Sequence, residues 1–441
     1  MKRYEKTCAF PDIWIDEIPS HWETHKMKYL FNERSEKGHP DEPLLVASQN
    51  MGVVPKTIYG SRTVEAQKDL HLLKLVRIGD FVISLRSFQG GLEYAYYQGI
   101  VSPAYTILIP HEPMTASYFR YLAKSKLFIG LLTLCVTGIR EGQNIDYGKL
   151  RDHLLPVPSR DEQDQIVRYL DWQVSKINRL IAAKRKQIEL LNQTIAHNLE
   201  RIICEGMHGE ELVETGNPWI STAPKSWNKL RHKNILTEKK IVVGDTYSQY
   251  TLLSLTTKGI IVRDISSGKG KFPSDFSTYQ VVQPSDMVFC LFDVDETPRT
   301  VGLSAYTGMI TGAYTVYETH DVVPEFLLHY FTAIDNRKGF KPLYSGLRKV
   351  IGKDVFSRQS IYLPSVEEQK EIVAAIDASQ KKCKKAMDLF EQEIIALTDL
   401  RTRLISDVVT GKIDVRSIKV PDYELVDNVV QDSEDGEPEV E

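Results

Sequence analysis

From Ser159 to about Cys204 the apolar residues recur in steps of three and four: Ile166, Leu170, Val174, Ile177, Ile181, Ile188, Leu191, Ile195, Leu199 and Ile202, with one gap after Ile181. No Pro or Gly interrupts the run before Gly206. This spacing draws one apolar seam along a helix. Ser159 and Glu162 open it with the S-x-x-E spacing of a capping box, in which each side chain satisfies an orphan backbone N–H. Fully helical, the stretch would span about 69 Å at ~1.5 Å per residue, too long for an ordinary globular helix. A helix of this length packs along another like it, and the sequence holds a second.

That second stretch is Ser365 to about Thr410. Its capping box is Ser365 and Glu368, just after Pro364, as Ser159 follows Pro158. At an offset of 206, Glu162-Gln163 recurs as Glu368-Gln369, Ile166-Val167 as Ile372-Val373, and Asp171 as Asp377. Its seam is Ile372, Ile376, Cys383, Met387, Phe390, Ile394, Leu397, Leu404 and Val408. Both stretches run into a glycine, Gly206 and Gly411, the residue suited to a left-handed C-terminal cap. Three polar residues break the symmetry: Lys184 stands where the second copy has Phe390, and Gln380 and Arg401 stand where the first has Val174 and Ile195. Polar residues in such a seam cost stability and fix register, so these three are expected to set the antiparallel register.

The repeat reaches beyond the helices. Trp14-Ile15 and Pro19-Ser-His-Trp22 recur as Trp219-Ile220 and Pro224-Lys-Ser-Trp227, and Ile78-Gly-Asp80 as Pro284-Ser-Asp286. Ser102-Pro-Ala-Tyr-Thr-Ile107 resembles Thr311-Gly-Ala-Tyr-Thr-Val316, and Thr137-Gly-Ile-Arg140 resembles Ser345-Gly-Leu-Arg348. Self-similarity at this scale means a domain-plus-helix unit written twice. The expected division is a first domain at 1–158, a long helix at 159–205, a second domain at 206–363, a second long helix at 364–416, and an acidic, disordered tail at 417–441. Each domain reads as mixed α/β (α+β) with a curved sheet. Strands are expected at Phe81-Val-Ile-Ser, Tyr105–Ile109, Val281-Val and Tyr314–Tyr317, and helical runs at Tyr118–Phe128 and Phe326–Ile334. Leu45–His71 and Leu252–Phe276 show little likeness, as two domains sharing a scaffold but binding different targets would; surface drift after an old duplication would leave the same trace.

Charge and chemistry narrow the function. The chain of 441 residues carries −4 overall, but Pro421–Glu441 holds nine acidic residues and no basic one. Taking that −9 away leaves +5 on residues 1–420, a mildly basic folded part. Five scattered cysteines without a C-x-x-C argue for a reducing compartment and against a disulfide framework or zinc site. The N-terminus lacks a signal-peptide core and no apolar run reaches membrane-spanning length, so a soluble cytoplasmic protein is expected. There is no P-loop, no dinucleotide fingerprint, no H-E-x-x-H and no G-x-S-x-G. His21, His25, His71 and His153 are scattered and read as surface or core residues. Asp293, Asp295 and Glu296 form an acidic cluster that reads as a solvated loop, with a metal site as the alternative. The chain carries recognition and no catalytic residues.

These features resemble the specificity (S) subunit of type I restriction–modification systems. The resemblance covers residues 1 to about 416. It rests on the tandem domains, the Trp … Pro-x-x-Trp openings, and the helix starts Leu155-Pro-Val-Pro158 … Glu162-Gln163-Asp-Gln-Ile166-Val and Leu363-Pro364 … Glu368-Gln369-Lys-Glu-Ile372-Val. The second copy lacks the Leu-Pro-x-Pro doublet. The resemblance implies two target-recognition domains on an antiparallel coiled coil, each reading one half of a bipartite DNA site, with the helices fixing the spacer. It also implies two methyltransferase subunits docked on the helices and two restriction subunits joining them. S-adenosylmethionine, Mg and ATP would sit on those partners, with no cofactor on this chain. Base reading and phosphate contact favour Arg, Lys, Asn and Gln in loops, which singles out Arg86, Gln89, Arg140, Gln143 and Asn144 in the first domain. In the second it singles out Lys269, Lys271, Arg299, Arg348 and Lys349. Arg140 and Arg348 sit at matching places, so they are expected to anchor phosphate, since two domains reading different bases would not share a base contact. The competing class is a non-catalytic protein-interaction scaffold with duplicated domains on a coiled coil.

Overall fold

The computed structural model describes residues 2–49, 51–59, 69–112, 114–138, 144–217, 219–263, 276–346 and 349–425. The chain divides into two compact units. One takes residues 1–186 with the C-terminal part of the chain from Phe390, and the other takes residues 187–389.

In the first unit β1 (Glu23–Lys26) is followed by β2 (Phe31–Arg34), β3 (Phe81–Ile83), β4 (Glu93–Tyr94) and β5 (Thr106–Pro110). The last four form one antiparallel sheet in the order β2-β5-β3-β4. Every residue of β3 is buried, which is why it reads as an unbroken apolar run. Leu108 of β5 lies opposite Phe81 of β3 and Glu33 of β2. A one-turn helix α1 (Ser87–Gly90) sits in the β3–β4 connection. The run expected as one helix from Tyr118 is two, α2 (Ala116–Leu122), which closes at Ala123, and α3 (Lys126–Leu134), which Ser125 caps through Phe128 N–H. Phe31, Phe81, Phe119 and Phe128 meet edge-on in the core between sheet and helices. β6 (Leu154–Val157) pairs with β1 and leads through Pro158 into the first long helix, α4 (Arg160–Glu205).

The second unit repeats this plan. After β7 (Asn228–Arg231), the strands β8 (Leu236–Lys239), β9 (Met287–Phe289), β10 (Val301–Leu303) and β11 (Thr315–Thr319) give a sheet in the order β8-β11-β9-β10. α5 (Pro324–Asn336) lies over it, and β12 (Ser360–Leu363) pairs with β7 and enters α6 (Val366–Val409). The matched aspartates do the same work in both sheets. Asp80 accepts Arg77 N–H and the Arg34 guanidinium at 2.8 Å each. Asp286 accepts Gln283 N–H and the Lys239 ammonium, also at 2.8 Å each. Both carboxylates are buried, and each locks the turn before a central strand to the far edge of its sheet. The stretches without sequence likeness nevertheless carry the same hairpin, Leu45–Ser48 with Gly52–Pro55 and Leu253–Thr256 with Gly259–Val262.

Within the first unit α4 packs on the C-terminal half of α6, and the two run antiparallel. Asn178 meets Arg401 at 2.8 Å and, further along α4, Lys184 meets Glu393 at 2.6 Å. Within the second unit the end of α4 and the start of α6 share a core through Leu199, Ile202, Ile203, Ile372 and Ile376. No helix among the described residues is long and apolar enough to cross a membrane.

Candidate nucleic-acid interface

The helix starts that carry the family resemblance are built by a glutamine. Gln163 accepts Thr115 N–H at 3.0 Å and donates to Pro158 O at 2.9 Å. Gln369 accepts Val323 N–H at 2.8 Å and donates to Pro364 O at 3.0 Å. Both amides are buried, so each ties the start of its long helix to the start of the helix lying on the sheet. The neighbouring glutamates depart from the capping-box expectation. Ser365 does cap Glu368 N–H, but the Glu368 carboxylate takes the Trp227 indole N–H at 3.0 Å. Glu162 takes the Tyr4 hydroxyl at 2.6 Å and faces His21 at 2.8 Å. Each carboxylate is thus engaged by side chains from elsewhere in its domain.

The expected seam residues separate by what covers them. Ile166, Leu170, Ile177, Ile181, Ile372, Ile376 and Leu404 are buried against their domains. Ile188, Leu191, Ile195, Met387, Phe390, Ile394 and Leu397 are half-buried, since a helix pair alone covers its seam from one side. Lys184 and Arg401 are both engaged across the pair. The Lys184 ammonium lies 4.5 Å from the Phe390 ring centroid as well as beside Glu393, and Arg401 donates to Asn178 Oδ1. Gln380 is half-buried.

Of the DNA-contact candidates, Arg140, Gln143, Lys269, Lys271 and Arg348 lie outside the described residues. Arg86 and Gln89 are exposed on the β3–β4 connection, and neither side chain bonds to any described residue. The turn carrying them is fixed from inside. The buried Ser87 hydroxyl accepts Ser84 N–H at 2.8 Å, Gln49 donates to Arg86 O at 3.3 Å, and Lys124 donates to Gly90 O at 3.0 Å. Lys124 also meets both Glu93 carboxylate oxygens at 2.8 Å. Burial pushes the Glu93 carboxyl up to about 7, against the pull of Lys124. Asn144 is exposed, with its side-chain oxygen on Ile145 N–H.

The corresponding β9–β10 connection of the second domain is differently charged. Arg299 donates to Asp335 Oδ2 at 3.2 Å and Asn336 Oδ1 at 3.0 Å. Lys349 pairs with Glu296 at 3.0 Å and lies 3.5 Å from Asp295, which also accepts the Tyr344 hydroxyl. The acidic cluster therefore neutralises neighbouring lysines. Among the described residues no group of His, Cys, Asp and Glu is arranged to hold a metal ion. Arg299 and Lys349 thus spend their charge inside the domain, unlike Arg86. The anchors Glu93, Lys124 and Asp335 leave no trace in the repeat, because they differ in type between the copies.

Two globular domains, each set between the start of one long helix and the end of another, with solvent-facing polar loops, define a duplicated domain-plus-helix scaffold. Among solved structures the chain superposes on one from work on complex assembly and conformational transition of the type I R-M system, with a TM-score of 0.63 at 13% identity, over 90% of this chain and 99% of that one. The fold is therefore that of a type I restriction–modification chain. The HsdS subunit from Thermoanaerobacter tengcongensis (13% identity, 90% and 98% covered, TM-score 0.47) and the type I S subunit from M. genitalium (13%, 89% and 97%, 0.34) align over the same span but superpose too loosely to carry an argument. No protein-family model matches the chain, and no curated protein is significantly similar in sequence.

Proposed function

We propose that this chain is the DNA-specificity subunit of a type I restriction–modification complex. The observation that carries the reading is the duplicated domain mounted between the start of one long helix and the end of the other, in a fold shared with a type I chain. Each domain reads one half of a bipartite, asymmetric site, and the helix pair sets the spacer between halves. Two methyltransferase subunits dock on the helices, two restriction subunits complete the nuclease, and the methyl donor, Mg and ATP bind those partners. Arg86, Gln89 and Asn144 contact DNA in the first domain together with Arg140 and Gln143; Lys269, Lys271 and Arg348 do so in the second. Arg140 and Arg348 hold phosphate, so replacing either by Ala weakens binding uniformly and lowers its salt dependence.

The test is methylation-sensitive sequencing of DNA from cells carrying this chain with its methyltransferase partner. The expected result is one split motif with methylated adenines, a different sequence in each half. A chain that associates with those partners yet directs methylation to no motif would leave only the scaffold class.

A further inference from the structure

Each hairpin connection at the candidate interface is held by a charge pair between a buried carboxylate and a half-buried cation, and the two pairs have opposite polarity. In the first domain the strand side supplies the carboxylate, Glu93 of β4, which is 1% exposed. The cation is Lys124, just after α2. In the second domain the strand side supplies the cation, Arg299, just before β10. The carboxylate is Asp335 near the end of α5, which is 2% exposed. The three donors of an ammonium are all used inward at Lys124, on Gln49 O at 3.0 Å, Gly90 O at 3.0 Å and Glu93 at 2.8 Å. That leaves none for a ligand and fixes the carbonyl next to Gln89. Asp335 accepts Thr300 N–H at 3.1 Å as well as Arg299, and Lys338 bridges from Asp335 to Thr297 O at 2.6 Å. Apolar residues would fill such sites at lower cost than a desolvated ion pair. What a pair adds is one geometry for the loop it holds.

We propose that Glu93–Lys124 is a positioning pair that sets the β3–β4 connection carrying Arg86 and Gln89, and that Asp335–Arg299 sets the equivalent β9–β10 connection of the second domain for DNA reading, so that Arg299 acts through the loop and not on DNA. This rests on the specificity-subunit reading above. Each pair lies within its own domain, and the exchange of polarity keeps the clamp although its residues differ between the domains.

The test uses the full chain with its methyltransferase partners and labelled duplexes carrying the methylated motif, intact or altered in one half. Lys124→Glu is expected to lose discrimination roughly tenfold or more at one half only, with the salt dependence of binding unchanged. Glu93→Lys combined with Lys124→Glu, which installs the polarity of the second domain, should restore it. Asp335→Asn, nearly isosteric, should lose discrimination at the other half only, and Arg299→Ala should leave the salt slope unchanged. Unaltered discrimination in folded Lys124→Glu and Asp335→Asn, equal loss at both halves, or a salt slope lowered by about 1 in Arg299→Ala would overturn the proposal alone. A wild-type complex without sequence preference would overturn the underlying reading, and this with it.

Discussion

Lys184 lies 4.5 Å from the ring of Phe390, the residue that occupies its own place in the second copy of the helix. In two antiparallel copies of one helix, equivalent positions meet only at the midpoint of the pair, and Lys184 and Phe390 are such a position; away from it Asn178 meets Arg401, the equivalent of Ile195. Identical residues there would be two repelling lysines or two phenylalanines free to slide. The Lys/Phe exchange replaces both with a cation over a ring, and Glu393 at 2.6 Å completes it as an ion pair. Lys184→Leu should cost stability only about 1 kcal/mol, since the pair is half-exposed. Its larger effect should fall on register. Under the proposed function, Lys184→Leu with Arg401→Leu should relax the spacer of the methylated motif, read by the same sequencing. A motif with an unchanged, single spacer would show that these residues do not set register.

The two domains grip their helices unequally. Asp171 accepts Arg120 at 2.7 Å and the Tyr121 hydroxyl at 2.5 Å, whereas the matching Asp377 meets His329 at 3.2 Å. Asp171 is nearly buried and its partner always charged. Asp377 is 62% exposed, and burial lowers the His329 pKa against the pull of Asp377, leaving the ring neutral at pH 7. Asp171→Asn should therefore cost about 2 kcal/mol, and Asp377→Asn less than ~0.5 kcal/mol. Denaturant unfolding of both variants checks this; equal costs would contradict it.

Where the sequence was legible follows from what each residue does. Gln163 and Gln369 recur because both copies bridge the same two backbone groups, and Asp80 and Asp286 because both lock the same turn. Function that depends on a backbone pattern survives as a repeated letter. The hairpins at Leu45 and Leu253 were illegible because any alternating pair of strands with a glycine turn serves, here Gly52 and Gly259 at φ +75° and +96°. The charge clamps were hidden for a related reason: a salt bridge works with either polarity, so its residues need not match. The roles of Glu162 and Glu368 were misread because spacing cannot show that Tyr4, His21 and Trp227 arrive from elsewhere in the chain.

His232 marks a place where the copies differ in chemistry. It stands where the first domain has the fully buried Met27, and it sits between the rings of Phe331 and Phe356. Burial lowers its pKa to about 4. The unfolded chain takes up a proton near 6.5, so this contribution is complete above that pH and is lost as pH falls towards 4. At pH 5 the loss is about 2 kcal/mol. His232→Met should leave the second domain little changed at pH 8 and stabilise it by roughly that amount at pH 5. Parallel stability curves for variant and wild type between pH 5 and 8 would contradict the assignment.

Gly411 and Gly206, which close the two long helices, explain why each domain opens with Pro-x-x-Trp. Both have left-handed backbones, at φ +77° and +69°. A Cβ on Gly411 would fall 3.2 Å from the Trp22 ring and collide with Pro19, and one on Gly206 would fall 3.0 Å from Pro224 and 3.6 Å from Trp227. Neither proline ring can move far, because Pro19 and Pro224 close strand pairs with Thr7 and Leu212. An alanine at either place costs about 1 kcal/mol for the left-handed backbone. At Gly411 overpacking adds roughly 1–3 kcal/mol, whereas at Gly206 a few tenths of an ångström of give suffices. Gly411→Ala should thus lower the unfolding midpoint of the first unit markedly more than Gly206→Ala lowers that of the second. Equal, small losses would mean that the Pro-x-x-Trp contact yields to an added methyl and does not constrain the helix ends.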